Sequence, residues 1–116
     1  TATGACASVI GGYYNDAYGG GSAILAGNNN DSYGNFSAIA GGQNNTINIA
    51  GEGSVIIGGE GNLVEHPRAV VAGSCVASVS ADMVHVKSLY AQCLPTTDPG
   101  VSGVIWNDSG DLKISV

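Results

Sequence analysis

The sequence predicts an all-β fold: a parallel β-solenoid, of β-roll or β-helix type, wound in coils of about fifteen residues. Three observations predict it. First, Ala7, Ser22, Ser37, Ser54 and Ala69 recur at intervals of 15, 15, 17 and 15 residues. Second, the apolar residues within each unit alternate as they do in a strand. Third, Gly and Asn return at fixed places, where a coil has to turn. A fixed period this short means one structural unit stacked on itself.

The units read ASVIGGYYN, SAILAGNNN, SAIAGGQNN and SVIIGGEGN, with a weaker fifth, AVVAGSCVA. Coils therefore start near residues 7, 22, 37, 54 and 69. Val9, Ile24, Ile39, Ile56 and Val71 share one phase and form the predicted core ladder. The coil-start residues lie two positions earlier, on the same strand face. Stacked neighbours would lie ~4.8 Å apart. Ile10, Leu25, Ala40, Ile57 and Ala72 occupy the opposite face, where a wet strand would carry polar residues. These are apolar, so both faces are expected to be buried. One fills the solenoid, and the other packs on identical subunits through Ile10, Leu25 and Ile57.

Gly12, Gly27, Gly42 and Gly59 mark the first turn, because Gly reaches φ > 0 without a steric cost. Asn15, Asn30, Asn45 and Asn62 follow three residues later. Asn tolerates left-handed turns and bonds its local backbone, and stacked amides bond from coil to coil. A second short strand is expected through Ala17, Ser32, Ile47 and Val64, and a second bend at Gly19, Gly34 and Gly51. The longer unit carries two extra residues near Asn48 and Ile49, read as a bulge. After Arg68 the pattern fades: in the fifteen-residue frame Ser74 replaces the turn Gly and Ala77 replaces the Asn. Terminal units are usually atypical because they cap the stack.

The solenoid is assigned to residues 1–81, and a C-terminal strand and β-hairpin to 82–116. Met83 to Leu89 reads as a strand, with Val84 and Val86 in one phase. LPTTDPG is a turn-rich connector. VSGVIW, NDSG and DLKISV read as strand, turn, strand, with Trp106, Ile105, Leu112, Ile114 and Val116 as its apolar area. A stack of five coils, roughly 24 Å tall, would be marginal alone. That favours oligomerisation.

Composition narrows the function. Only 10% of residues are charged and 44% are hydrophobic, so much surface is expected to be buried against a partner. The net charge of −6, with Arg68, Lys87 and Lys113 as the only basic side chains, argues against a nucleic-acid partner. No apolar run is long enough to be inserted in a membrane. No signal peptide is visible and the chain does not begin with Met, so a processed chain or a fragment is expected. Cys6, Cys75 and Cys93 have no metal-ligand spacing. Small buried thiols are the expected state, and a disulfide or intersubunit link is the alternative.

The units SAIAGGQNN and SVIIGGEGN resemble the head repeats of trimeric adhesins and viral fibres. The stretch MVHVKSLYAQ with LPTTDPGVSGVIWNDSGDLKISV is similar to a segment near the C-termini of bacteriophage and large-virus fibre or tail proteins. The first resemblance covers residues 7 to about 77 and the second about 83 to 116. Together they imply a homotrimer built on a threefold axis. The coiled-coil stalk and membrane anchor of bacterial trimeric autotransporters are not in this sequence, so the resemblance implies a virion appendage at a virion surface or in the extracellular space. It carries over no functional residues.

Catalytic chemistry has little support. His66, at a bend, and His85, in a strand, have no Ser or Cys partner in a nucleophile motif. GGG at 19–21 lacks the Lys-Ser/Thr of a phosphate loop. Asp16 and Asp31 share a phase and would lie ~5 Å apart, near the spacing of glycosidase carboxylates and suited to an oxygen-ligand cation. Ordinary Asn-Asp turns are the simpler reading, because no hydrophobic cleft is evident to raise one pKa. No catalytic residue, metal ligand or cofactor is assigned. Tyr18 and Tyr33 also share a phase, beside Asn side chains, and are the candidate glycan contacts. Packing on each other or across a subunit boundary is their structural alternative.

The expected function is a structural and adhesive module, a rigid self-associating rod that displays a surface to a host glycan or receptor, with avidity from repetition. Alternatives are a bacterial adhesin head, a fibre polymerising end to end through strand edges, and a tailspike-like polysaccharide depolymerase using Asp16 and Asp31. An ice-binding surface would need a Thr ladder, and no Thr recurs in phase.

Overall fold

The computed structural model describes all 116 residues and contains twelve short strands and no helix. In chain order these are β1 (Ser8–Val9), β2 (Asp16–Ala17), β3 (Ala23–Ile24), β4 (Asp31–Ser32), β5 (Ala38–Ile39) and β6 (Thr46–Ile47). β7 (Val55–Gly58), β8 (Leu63–Val64), β9 (Val70–Ala72), β10 (Val84–Val86), β11 (Ile105–Asp108) and β12 (Asp111–Ile114) complete the set. From β1 to β9, odd and even strands go to different parallel sheets. The first sheet runs β1-β3-β5-β7-β9-β10 and the second β2-β4-β6-β8. A third side is stitched by single parallel bridges through Tyr13, Asn28, Gln43 and Glu60. The chain is thus a three-sided parallel β-solenoid. Register follows the repeat, with Val9 opposite Ile24, Ile24 opposite Ile39 and Ile39 opposite Ile56.

The interior has an apolar half and a polar half. Ile24, Ile39, Ile56 and Val71 are fully buried, and Val9 at the N-terminal end is half-buried. Ala17, Ser32, Ile47 and Val64 face them from the second sheet, also fully buried. The buried coil-start serines cannot reach water, so they bond the backbone. Ser22 Oγ donates to the Gly19 carbonyl at 2.7 Å and Ser37 Oγ to that of Gly34 at 2.6 Å. Asn15, Asn30, Asn45 and Asn62 point inward and form a buried amide ladder. The Oδ1 atoms of Asn15, Asn30 and Asn45 each accept the backbone N–H and the side-chain N–H of the next Asn at 2.9–3.1 Å.

These Asn residues are therefore not the left-handed turn positions. The residue before each takes that conformation: Tyr14, Asn29, Asn44 and Gly61 have φ between 51° and 65°. Gly12, Gly27, Gly42 and Gly59 do adopt positive φ, and each also lies under the next coil. A Cβ on Gly42 would come 2.1 Å from the Gly59 carbonyl oxygen. At the other bend the buried Gly19, Gly34 and Gly51 have no positive φ. A Cβ on Gly19 would meet the Gly34 carbonyl oxygen at 2.1 Å. Close stacking, not turn geometry, demands glycine there.

Departures from the period are local. The two extra residues, Ile49 and Ala50, form an exposed turn closed by Gly51 N–H donating to Asn48 O at 2.8 Å. A bulge between Ile56 and Gly58 shortens the next coil by one residue. Gly73 (φ 132°), not Ser74, is therefore the turn glycine stacked on Gly59. Likewise Val76, not Ala77, takes the Asn place, and its N–H donates to Asn62 Oδ1 at 3.0 Å. The parallel stack also continues past residue 82. β10 adds a sixth strand with His85 opposite Val71, so His85 is buried at the end of the Ile/Val ladder. Its Nε2 accepts the Val79 N–H at 3.1 Å.

The cysteines correct the expectation of burial: Cys6, Cys75 and Cys93 are all free and exposed. All three have positive φ, between 55° and 59°. They sit at bends, with their side chains outside the stack.

Residues 105–114 form an antiparallel hairpin in the register Ile105 to Ile114. Its two-residue loop, Ser109-Gly110, has both φ positive (54° and 107°), as the twist of a tight hairpin requires. Asp98 ties the connector to its base, accepting from Gly100 N–H at 2.9 Å and the buried Ser115 Oγ at 2.6 Å. The whole chain is a rod of 51 × 21 × 21 Å.

Candidate functional site

A solenoid presents its outer columns to partners, so each side is a candidate surface. On the first sheet one column is Ser8, Ala23, Ala38, Val55, Val70 and Val84. The other is Ile10, Leu25, Ala40, Ile57, Ala72 and Val86, with Ile57 in the bulge just before Gly58, the partner of Ala72. Ser8 is the only polar member and none is charged. Ile10 is 71% exposed and Ile57 57%. Leu25, Val84 and Val86 are exposed as well. The candidate interface residues Ile10, Leu25 and Ile57 thus lie on one uncovered face. Sequence reasoning missed the flanking column of Val55, Val70 and Val84, two residues before it. The period-2 alternation carried that signal, because both neighbours of each buried ladder residue point outward.

The chain exposes 6736 Å², whereas a compact monomer of its 11.5 kDa mass exposes about 5,800 Å² by the usual scaling. Part of the excess is this apolar face.

The second sheet carries the acidic and aromatic candidates. Asp16 and Asp31 pair in register on β2 and β4. Tyr18 and Tyr33 lie two residues on, with ring centroids 4.8 Å apart and planes 7° from parallel. Each ring therefore spends one face on the other. A hydrogen bond from the Thr1 amine, then one from the Thr1 hydroxyl, holds the Asp16 carboxyl below its ordinary range. Burial first, then the Asp16 charge, pushes Asp31 up. The Tyr18 hydroxyl is raised by desolvation and then by Asp16. Two carboxylates with opposite shifts have the polarity of an acid–base pair, but no cleft adjoins them.

The one cleft, of about 340 Å³, lies near the hairpin. It is lined by Leu89, Tyr90, Ala91, Leu94, Ile105 and Leu112. His66 is held by Ser78, with Nδ1 and Oγ 3.0 Å apart. No group of three His, Cys, Asp or Glu side chains is placed to hold a metal ion.

The third side is neutral over its first three coils. Tyr13, Asn28 and Gln43 form one exposed column and Tyr14, Asn29 and Asn44 the next. Asn29 Nδ2 donates to Asn44 Oδ1 at 2.8 Å. The fourth coil introduces a charge at Glu60. No protein-family model matches this chain, and no curated protein matches it.

Proposed function

We propose that the chain is a structural and adhesive module of a virion or phage fibre, a rigid self-associating rod that displays a surface to a host glycan or receptor. The uncharged outer face of the first sheet carries this reading. An apolar face six strands long is costly in water and marks an association surface. The narrow solenoid has too little core to leave it exposed. Packing around a threefold axis would cover the first sheet of every copy and leave the other two sides outward. The threefold count comes from the resemblance of the repeats to fibre and adhesin heads.

One observation favours end-to-end growth as a second reading. β1 and β10 are the two terminal strands of one parallel sheet, each paired on one side only. The edge of one copy can therefore template the next in a head-to-tail contact.

The test is the mass of the native assembly by light scattering, before and after boiling in SDS. A species at three times the 11.5 kDa chain mass, converted to monomer by Ile57→Asp, is expected. Larger polymers would favour the end-to-end reading. A stable monomer would overturn both.

A further inference from the structure

We infer that the third side of the solenoid binds a neutral, hydroxyl-rich polysaccharide lying along the rod axis, with Tyr13 and Tyr14 as its aromatic anchors. The inference rests on the display-rod reading and places its recognition surface.

The first observation is Tyr14. It holds φ 51° and is 81% exposed. A left-handed conformation is strained for an L-residue, and Asn adopts it more readily than other side chains. The coils above place Asn29 and Asn44 at this same corner. Tyrosine there is neither the favoured turn residue nor a buried one, so it gains little for stability. A strained side chain of this kind points to function. Phe36 makes the contrast. It is also left-handed, at φ 53°, but its ring lies over Gly21, where a Cβ would sit 2.9 Å from Cδ1. Phe36 packs on the preceding coil, whereas Tyr14 shares its corner column with the exposed Asn29 and Asn44.

The second observation is the surface beside it. Tyr13 is 77% exposed and begins the column continued by Asn28 and Gln43. The backbone of this side is already paired from coil to coil. Asn29 N–H donates to Tyr13 O at 2.9 Å, and Asn44 N–H to Asn28 O at 3.0 Å. The N–H groups of Tyr13, Asn28 and Gln43 are paired as well, so on these coils the side chains supply the donors for a ligand. Amides supply both donors and acceptors, which suits hydroxyl groups. Tyrosine rings supply an apolar face with a polar tip, which suits the C–H face of a sugar. The rungs rise ~4.8 Å per coil, so a ligand that uses both the tyrosines and the amides is elongated along the axis. With no cation on the first three coils of this side and a net charge of −6, a polyanion is disfavoured. Tyr18 and Tyr33 are the poorer anchors because their rings already stack on each other.

The test is affinity electrophoresis of the full chain through gels containing dextran, laminarin, mannan or galactan, with alginate as the polyanion. Retardation by at least one neutral polymer and not by alginate is expected. The double variant Tyr13→Ser, Tyr14→Asn should lose at least about tenfold in affinity, an effect that two aromatic contacts can supply. Its melting temperature should be unchanged or higher, since Asn suits the left-handed corner. Retardation by no neutral polymer, retardation by alginate alone, or wild-type binding by the double variant would each overturn the assignment. Light scattering on the same samples separates the two readings. A stable oligomer that no neutral polymer retards overturns the sugar surface and leaves the rod. A monomer that a neutral polymer retards overturns the rod and leaves the surface.

Discussion

Truncating one rung of the interior amide ladder, Asn45→Ala, should destabilise the fold by about 3–5 kcal/mol, a sum of loss terms of known size. Asn45 is fully buried. Its Nδ2 donates to Asn30 Oδ1 at 3.0 Å, Gly41 O at 3.2 Å and Gly59 O at 3.0 Å. Its Oδ1 accepts from Asn62 N–H at 3.1 Å and Asn62 Nδ2 at 2.9 Å. Most of these partners have second bonds. Asn30 Oδ1 keeps the Asn45 backbone N–H, and Gly59 O keeps that of Gln43. Asn62 Nδ2 keeps the carbonyls of Gly58 and Gly73. The Asn62 backbone N–H has no alternative acceptor and becomes a buried orphan, at about 1–3 kcal/mol. Two net hydrogen bonds at about 1 kcal/mol each and a small cavity complete the sum. The assay is denaturant unfolding at fixed protein concentration, because association would make stability concentration-dependent. The matched control is Asn28→Ala, an exposed amide one side away, expected within about 0.5 kcal/mol of wild type. If the two variants unfold together, the ladder is not a stabilising element and the reasoning fails.

Two further outcomes follow from the outer surface. Burial and the Asp16 charge raise the folded pKa of Asp31. Its ionisation therefore opposes folding, and stability present below the ordinary carboxylate pKa is lost as pH rises through the folded value. Asp31→Asn should raise the melting temperature at neutral pH, with the gain vanishing in acid; a gain that persists in acid would refute this origin. Cys6, Cys75 and Cys93 are exposed, so a thiol reagent such as Ellman's should titrate all three in the native protein without denaturant. Protection of any one would show that assembly or pairing covers it.

Much of the fold was legible because a coil of fixed length writes every column into the sequence. Ile24, Ile39 and Ile56 recur in phase and are buried in phase. The hairpin was legible because a Ser-Gly loop between alternating strands leaves few other conformations. The end of the repeat was harder. A bulge beside Ile56 removes one residue from the period, so fifteen-residue counting placed the turn at Ser74 instead of Gly73. It also left the strand holding His85 outside the solenoid. The cysteines were misread because small thiols are usually buried, and nothing local marks a left-handed corner occupied by Cys. The outer surfaces were only half legible. Phase told which residues share a column, but the stacking of Tyr18 on Tyr33 and the strain at Tyr14 are visible only in three dimensions.

The in-register stacking of the parallel strands has a consequence for how the chain folds. Each paired residue finds its partner one turn away, as Ile24 does in Ile39 and Ala23 in Ala38. A separation of 15 residues in a chain of 116 corresponds to a relative contact order of about 0.13, the range of mixed domains and below that of β-sandwiches. No strand has to wait for a partner from the far end of the chain. Nucleation can begin at any neighbouring pair of turns and spread in both directions, as in other repeat arrays. Damage to a central turn then leaves two short stubs, each too small to persist, while damage to a terminal turn frays only that end.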